Sequence, residues 1–357
     1  MKNIIITSLD ISLMGGVEKS TSQLINLFNS KGHFITLISF FKPSENTFFN
    51  FDNAEIIYLN EYSVDINHGF KSKLISLFSF YKLLIYLKNR KDDYVVLSVY
   101  PRISLFFSFF FLNAKRIIAC EHSSFHAHSK IICYLRLVFY KRLRCVINLT
   151  NHDQKIFQKA GLVSYKIPNY SDFKKELTPR DCESKKPLVC LAAGRMHPHK
   201  GFTRLVEIAK NLKTENIKFI IVGSGPEEEL IRSLVKRFNL SDSVFLFPAS
   251  KNLESFMTSA DVFLMTSITE AAPLVILEAF AYSKPVIAYD CPVGPRELIT
   301  DDINGFLVSN GNQLLFVNKL KSLLESHILY NNLAKGAGIY AKNNSSEYVY
   351  KLWEKIL

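Results

Sequence analysis

The sequence has no apolar run long enough to cross a bilayer as a helix. The longest, residues 103–112, has about ten residues, where about twenty are needed. Its six cysteines (Cys120, Cys133, Cys145, Cys182, Cys190 and Cys291) show neither Cys-x-x-Cys nor a histidine-rich spacing. That suggests neither a zinc site nor a disulfide framework, and they read most simply as buried apolar residues. No small-residue cleavage site follows Met1-Lys2-Asn3, so Ile4, Ile5 and Ile6 read as a first strand rather than a signal peptide, and synthesis is expected to end in the cytoplasm. No internal repeat or low-complexity tract is present. The first predicted strand is followed by Gly15-Gly16 instead of Gly-x-Gly-x-x-Gly, which disfavours a nicotinamide cofactor. Asp-x-Asp after a strand is also missing, and Asp92-Asp93 reads as a solvated turn.

What is present is apolar and basic. At 357 residues, 48% of them hydrophobic, the chain is expected to form two domains, each with its own core. Residues 1–180 carry 24 Lys and Arg against 13 Asp and Glu, whereas the remainder is nearly balanced at 20 against 19. The first half therefore attracts polyanions. Interleaved basic and aromatic motifs of nucleic-acid-binding modules are missing, so nucleic acid is not expected. An anionic membrane surface or a phosphorylated lipid fits better.

Short apolar runs alternate with helical segments throughout, the pattern of parallel sheets covered by helices on both faces. Strands are expected at 3–8, 34–40, 54–59, 94–99, 116–120, 145–149 and 164–167, and then at 188–193, 219–222, 244–247, 262–265 and 286–288. Polar residues from 171 to 187 separate the two sets. The organisation is thus an α/β domain at 1–170, a linker at 171–187, a second α/β domain at 188–342 and a C-terminal segment at 343–357. In the last segment Tyr348, Leu352, Trp353 and Leu357 form a stripe suited to packing back toward the first domain. Two readings stand for residues 130–142, which mix bulky apolar and basic side chains: a helix at a membrane interface, or one packed on its own sheet with a basic outer edge.

Candidate chemistry gathers after predicted strands, where open α/β sheets bind ligands. Gly194 permits a sharp turn, and Arg195 and Lys200 place two cations near the next helix start, an anion site; solvated surface charge is the other reading. Gly223-Ser224-Gly225-Pro226 closes the following βα unit. In Glu270-Ala271-Ala272-Pro273-Leu274-Val275-Ile276-Leu277-Glu278, Pro273 suits the first turn of a helix and leaves the N–H groups of Leu274 and Val275 for a phosphate. Glu270 and Glu278 are placed to accept hydroxyls from different parts of one ligand, with an ordinary surface charge the alternative for either alone. Cys291-Pro292-Val293-Gly294-Pro295 and Asn304-Gly305 are expected to shape the far wall. In the first half, Gly15 and Gly16 allow close backbone approach to a phosphate or sugar. His122, after the fifth strand, can act on an acceptor hydroxyl or be structural.

Together these residues resemble the retaining GT-B glycosyltransferases that build bacterial surface polysaccharides. The resemblance runs from Gly15-Gly16 through His122, Ile167-Pro168-Asn169, Gly194-Arg195, Lys200-Gly201 and Gly223-x-Gly225-Pro226 to two glutamates seven residues apart. It implies two Rossmann-like domains with parallel sheets facing a central cleft. It also implies catalytic roles for His122, Glu270, Arg195 and Lys200. The donor contacts it implies are Gly15, Gly16, Arg195, Lys200, Gly223, Glu270, Ala272, Pro273, Leu274, Val275 and Glu278. By this resemblance Arg195 and Lys200 bind the donor diphosphate, Glu278 holds the ribose, Glu270 contacts the transferred sugar and His122 faces the acceptor. Ala271-Ala272 depart from the usual Gly-Phe or Gly-Gly. The implied reaction is metal-independent transfer with retention from a nucleotide diphosphate sugar, by this resemblance a uridine diphosphate sugar, with no cofactor. The acceptor is a glycan or a polyprenyl-diphosphate-linked oligosaccharide, met peripherally at the inner face of the plasma membrane. A sugar-nucleotide epimerase or hydrolase of similar architecture, and a non-catalytic nucleotide-sugar-binding module, are the alternatives.

Overall fold

The computed structural model describes residues 1–42, 47–61, 70–177, 179 and 186–357, with the side chains of 70–76 set aside. Cys182, with the rest of 180–185 in the expected linker, lies outside them. The chain forms two units, one of Met1–Pro168 with Tyr350–Leu357 and one of Asn169–Val349.

The first unit runs β1 (Asn3–Ser8), α1 (Gly16–Ser30), β2 (Phe34–Ser39), β3 (Glu55–Tyr58), α2 (Phe70–Asn89), β4 (Tyr94–Ser98), α3 (Pro101–Phe110), β5 (Ile117–Glu121), α4 (Lys130–Phe139), β6 (Cys145–Asn148), α5 (Asn151–Lys159) and β7 (Ser164–Lys166). These strands form a sheet in the order β3-β2-β1-β4-β5-β6-β7, with every pairing parallel. Helices on both faces explain why the strands are near-continuous apolar runs. Ile4, Ile5 and Ile6 of β1 are fully buried, each contributing roughly 1.5–3 kcal/mol.

The second unit runs β8 (Leu188–Ala193), α6 (Phe202–Asn211), β9 (Ile217–Val222), α7 (Glu228–Arg237), β10 (Val244–Phe247), α8 (Leu253–Ser259), β11 (Val262–Met265), α9 (Leu274–Ala281), β12 (Val286–Asp290), α10 (Pro295–Leu298), β13 (Gly305–Ser309), α11 (Gln313–Glu325) and α12 (His327–Asn343). Its parallel sheet has the order β10-β9-β8-β11-β12-β13. The start of the connecting segment is laid against this unit: the Lys174 and Lys175 N–H groups donate to the Ala281 carbonyl at 2.8 and 3.1 Å. The last helix, α13 (Ser346–Glu354), carries the chain back. Trp353 is buried edge-on to Phe28, with ring centroids 5.5 Å apart, and the Tyr350 hydroxyl lies 2.9 Å from Nε2 of His33.

Three expectations need correction. Gly305 opens β13 and Asn304 is buried, bonding the Thr300 N–H and the Leu298 carbonyl; this pair completes a sheet edge instead of forming a site wall. Pro273 caps α9 from outside with ψ 108°, and the helix starts at Leu274. Asp92 is no free turn carboxylate: it pairs with Arg90 at 2.7 Å and accepts from Nδ2 of Asn3 at 2.8 Å. No helix among the described residues is long and apolar enough to cross a membrane.

Candidate active site

In the second unit β8 lies beside β11, and the chain leaves these two strands toward opposite sides of the sheet, the switch point where doubly wound sheets take ligands. The loop after β8 carries Gly194 to Lys200, and the loop after β11 carries Thr266 to Pro273. They are sewn together. The Thr266 hydroxyl donates to the Gly201 carbonyl at 2.8 Å, and the Ile268 N–H to the His199 carbonyl at 2.7 Å. Gly201 has φ 64°, and a Cβ there would run into the Thr266 carbonyl oxygen, so both conformation and space require glycine. The β9 loop is joined as closely. A Cβ on Gly223 would strike the Gly194 carbonyl, and the Met196 N–H donates to the Ser224 carbonyl at 2.9 Å.

Upon this main-chain frame the charged groups meet. Lys200 Nζ is 2.7 Å from Glu270 Oε1, with the two side chains 24% and 11% exposed, and the Ser267 hydroxyl donates to the same oxygen at 2.7 Å. Lys200, Glu270 and Val275 line one small cavity, of about the size of a water molecule, together with Thr266, Ser267, Ala193, Leu264 and Met265. The first N–H groups of α9, at Leu274 and Val275, have no partner within the helix and carry its positive dipole end. Ala272 and Pro273 belong to the same loop, and the Ala272 carbonyl accepts from Nδ2 of Asn169 at 3.4 Å. Gly223 lies under Gly194. Arg195 is exposed on the outside of its loop, and no carboxylate pairs with it among the described residues. Glu278 is half-buried one turn inside α9. Burial pushes the Cys291 thiol up to about 12, which removes it as a nucleophile.

No motif marks out His197 and His199, yet their Nδ1 atoms stand 2.6 Å apart. One ring must donate and the other accept. Desolvation, followed by the Lys200 charge, lowers the pKa of His199. Two histidines one residue apart beside Arg195 and Lys200 were the available signal.

The first unit has the corresponding switch point between β1 and β4. Gly15 is the N-cap of α1 and makes no side-chain cap; a Cβ there would collide with Oε2 of Glu18. Glu18, three residues on, curls back so that its carboxylate accepts from the Gly15 N–H and its own N–H, the capping-box arrangement. The Tyr100 hydroxyl donates to the other oxygen. Burial raises the Glu18 pKa. The close approach at Gly15 is thus made by the protein's own carboxylate, while a Cβ on Gly16 would meet nothing within 4 Å.

His122 follows β5 and is half-buried, with Nε2 enclosed and bonded to nothing. Desolvation pushes its pKa down to about 4, so the imidazole is neutral and able to exchange a hydrogen bond with a hydroxyl. Its neighbour Glu121 forms a 2.7 Å ion pair with Arg136 of α4, both side chains being at most 2% exposed. Arg136 also donates to the Phe125 carbonyl at 3.2 Å, and the Phe125 N–H donates to Asp153 Oδ1 at 3.1 Å. In a helix read either as lying at a membrane interface or as packed with a basic outer edge, Arg136 lies wholly inside, because a buried carboxylate needs a partner there.

Two parallel doubly wound sheets, each with its loops at a switch point, define the GT-B fold, and solved structures agree. The structure of Staphylococcus aureus TarM in complex with fondaparinux, α-GlcNAc-glycerol and UDP superposes with a TM-score of 0.80 at 16% identity, covering 100% of this chain and 99% of that one. Residues 174–339 match the family Glycosyl transferases group 1. The amylovoran biosynthesis glycosyltransferase AmsD of Erwinia amylovora is 30% identical over the full length of both chains. A Campylobacter jejuni α-1,4-N-acetyl-D-galactosaminyltransferase, whose name gives a PP-undecaprenol-linked acceptor, is 23% identical over 96% of this chain and 95% of its own. The protein belongs to the group 1 glycosyltransferases.

Proposed function

We propose that this glycosyltransferase moves a hexosyl residue from a uridine diphosphate sugar to a glycan or polyprenyl-diphosphate-linked acceptor, with retention and without a bound metal. The product is a bacterial surface polysaccharide such as O-antigen or capsule. The observation that carries this reading is the Lys200–Glu270 pair beside the α9 N-terminus in one pocket. A cation, a carboxylate and free backbone N–H groups together suit a diphosphate that bears a sugar.

In this reading the bond from the sugar's anomeric carbon to the β-phosphate oxygen breaks, and negative charge grows on the diphosphate. Lys200, Arg195 and the α9 N-terminus stabilise it, the role a metal fills elsewhere. The acceptor hydroxyl attacks from the face the leaving group vacates, and its proton passes to the β-phosphate. Glu270, exchanging Lys200 for sugar hydroxyls, holds the transferred ring, and Glu278 takes the ribose. Neutral His122 orients the acceptor hydroxyl. UDP in the TarM complex, amylovoran synthesis by AmsD and the α linkage and PP-undecaprenol acceptor named for the Campylobacter enzyme support donor, pathway, stereochemistry and acceptor class. The basic first half supports peripheral attachment at the inner face of the plasma membrane.

A panel of nucleotide sugars tests it, reading nucleotide diphosphate release and the anomeric configuration of the product by NMR. One uridine diphosphate sugar should be consumed with an acceptor, chelator should leave the rate unchanged, and Glu278→Ala should raise the donor KM. His122→Ala should lower acceptor turnover more than donor binding. Cleavage of an oligosaccharide in the absence of any nucleotide defeats the assignment.

A further inference from the structure

The three helices α2, α3 and α4 contain no Asp or Glu. Large apolar side chains stand exposed on each of them. On α2, Leu77, Phe78, Tyr81 and Ile85 are exposed, a stripe at helical spacing. Phe109 and Phe110 end α3, and Leu112 beyond them is 95% exposed. On α4 the exposed residues are Ile131, Tyr134 and Val138, again one stripe. A chain of rings makes these three surfaces one: Phe80 of α2 stacks on Phe106 of α3 at 3.9 Å, Phe106 meets Phe110 at 5.0 Å, and Phe109 meets Phe139 of α4 at 4.1 Å. Exposed cations stand on these helices or directly after them, among them Lys88, Arg102, Lys130, Lys141 and Arg142. An apolar area of this extent on a surface marks an interaction site, and cations on helices without a carboxylate select an anionic partner.

We propose that the outer face of α2, α3 and α4 seats the first unit on an anionic bilayer, the apolar side chains entering the headgroup boundary and the cations meeting lipid phosphates. This deepens the membrane attachment of the preceding subsection and rests on it. Helix α4 has two faces of different use. Its outer stripe touches lipid, and its inner Arg136, bonded to Glu121, holds the loop that begins with His122. Attachment through α4 brings that loop to the depth at which a lipid-borne acceptor presents its sugar.

The test is flotation of the full chain with vesicles of phosphatidylcholine alone and with added phosphatidylglycerol, for the wild type and for Phe110→Ser/Ile131→Ser/Tyr134→Ser. All three side chains are exposed, so the core is untouched. The wild type should float with the anionic vesicles, less as salt rises, and the triple variant should bind about tenfold more weakly or worse while transferring sugar to a water-soluble acceptor at the wild-type rate. Equal flotation of both proteins overturns the surface and leaves membrane attachment standing; no flotation of the wild type overturns both. A wild type that is dimeric in solution and made monomeric by the three substitutions overturns it in favour of a second copy on this face. Failure of sugar transfer with flotation intact strikes the catalytic reading alone.

Discussion

The two units repeat one construction, a parallel sheet with a switch point between its first strand and a later one, yet they fill that point differently. Between β1 and β4 the N-terminus of α1 is occupied from within. The Glu18 carboxylate accepts from the Gly15 N–H and its own, and Tyr100 donates to it. Between β8 and β11 the N-terminus of α9 carries no side-chain cap, since Pro273 cannot supply one, and its nearest charges, Lys200 and Glu270, satisfy each other while lining a pocket. A helix N-terminus is an anion seat wherever its N–H groups face outward. The first unit fills that seat with its own carboxylate, and in the second no side chain caps it. The same contrast separates the two ion pairs, Glu121–Arg136 wholly buried and Lys200–Glu270 partly wet.

Substitutions can break this contrast, and the largest effect falls on the buried pair. Arg136→Ala strands Glu121 without a counter-charge and should cost about 3–5 kcal/mol of stability, read by denaturant unfolding. Lys200→Ala should do the reverse, lowering kcat/KM about 100- to 1000-fold while changing stability by less than about 1 kcal/mol. If Lys200→Ala unfolds the protein, the contrast fails.

The next effect is on pH. His122 has a folded pKa pushed down to about 4 from an ordinary 6.5, so between those values the unfolded chain binds more protons. Its contribution is complete above pH 6.5 and is lost as pH falls toward 4, by up to about 3 kcal/mol. His122→Phe should flatten that slope in unfolding experiments across the same window. Smallest is Tyr100→Phe, which removes one donor from Glu18 and should cost about 1–2 kcal/mol with donor affinity unchanged. A matching loss of donor affinity would show that the first switch point is also part of the donor site.

Much of the architecture was legible because buried parallel strands are apolar runs that leave little ambiguity, and those at 188–193, 244–247 and 262–265 appear with the expected bounds. Helix α12 was not legible. Gly336 and Gly338 interrupt its pattern, and only the structure shows why they stand there: a Cβ on Gly336 would strike the Ile303 carbonyl, and one on Gly338 would crowd the Ser283 hydroxyl at 2.7 Å. Strand β13 was missed because it is short and lies at an edge. At the site, spacing pointed to Lys200 and Glu270 separately, but their pairing depends on two loops 70 residues apart in the chain, which no local pattern encodes. Arg136 illustrates the opposite difficulty. A lone arginine in an apolar helix has the same local signature whether it faces lipid headgroups or a buried carboxylate, and the deciding partner is 15 residues away.

At Gly201 and Gly223 the nearest approach is to main chain, the Thr266 carbonyl and the Gly194 carbonyl. A surface made in that way has no side chain to vary: a substitution there either keeps the shape or destroys it. Ala271 and Ala272 on the adjoining loop are half-buried and present only methyl groups. Divergence, natural or in the laboratory, is therefore channelled. The main-chain frame of these loops can be inherited unchanged through many generations of substitution while residues 271 and 272 beside it are rewritten.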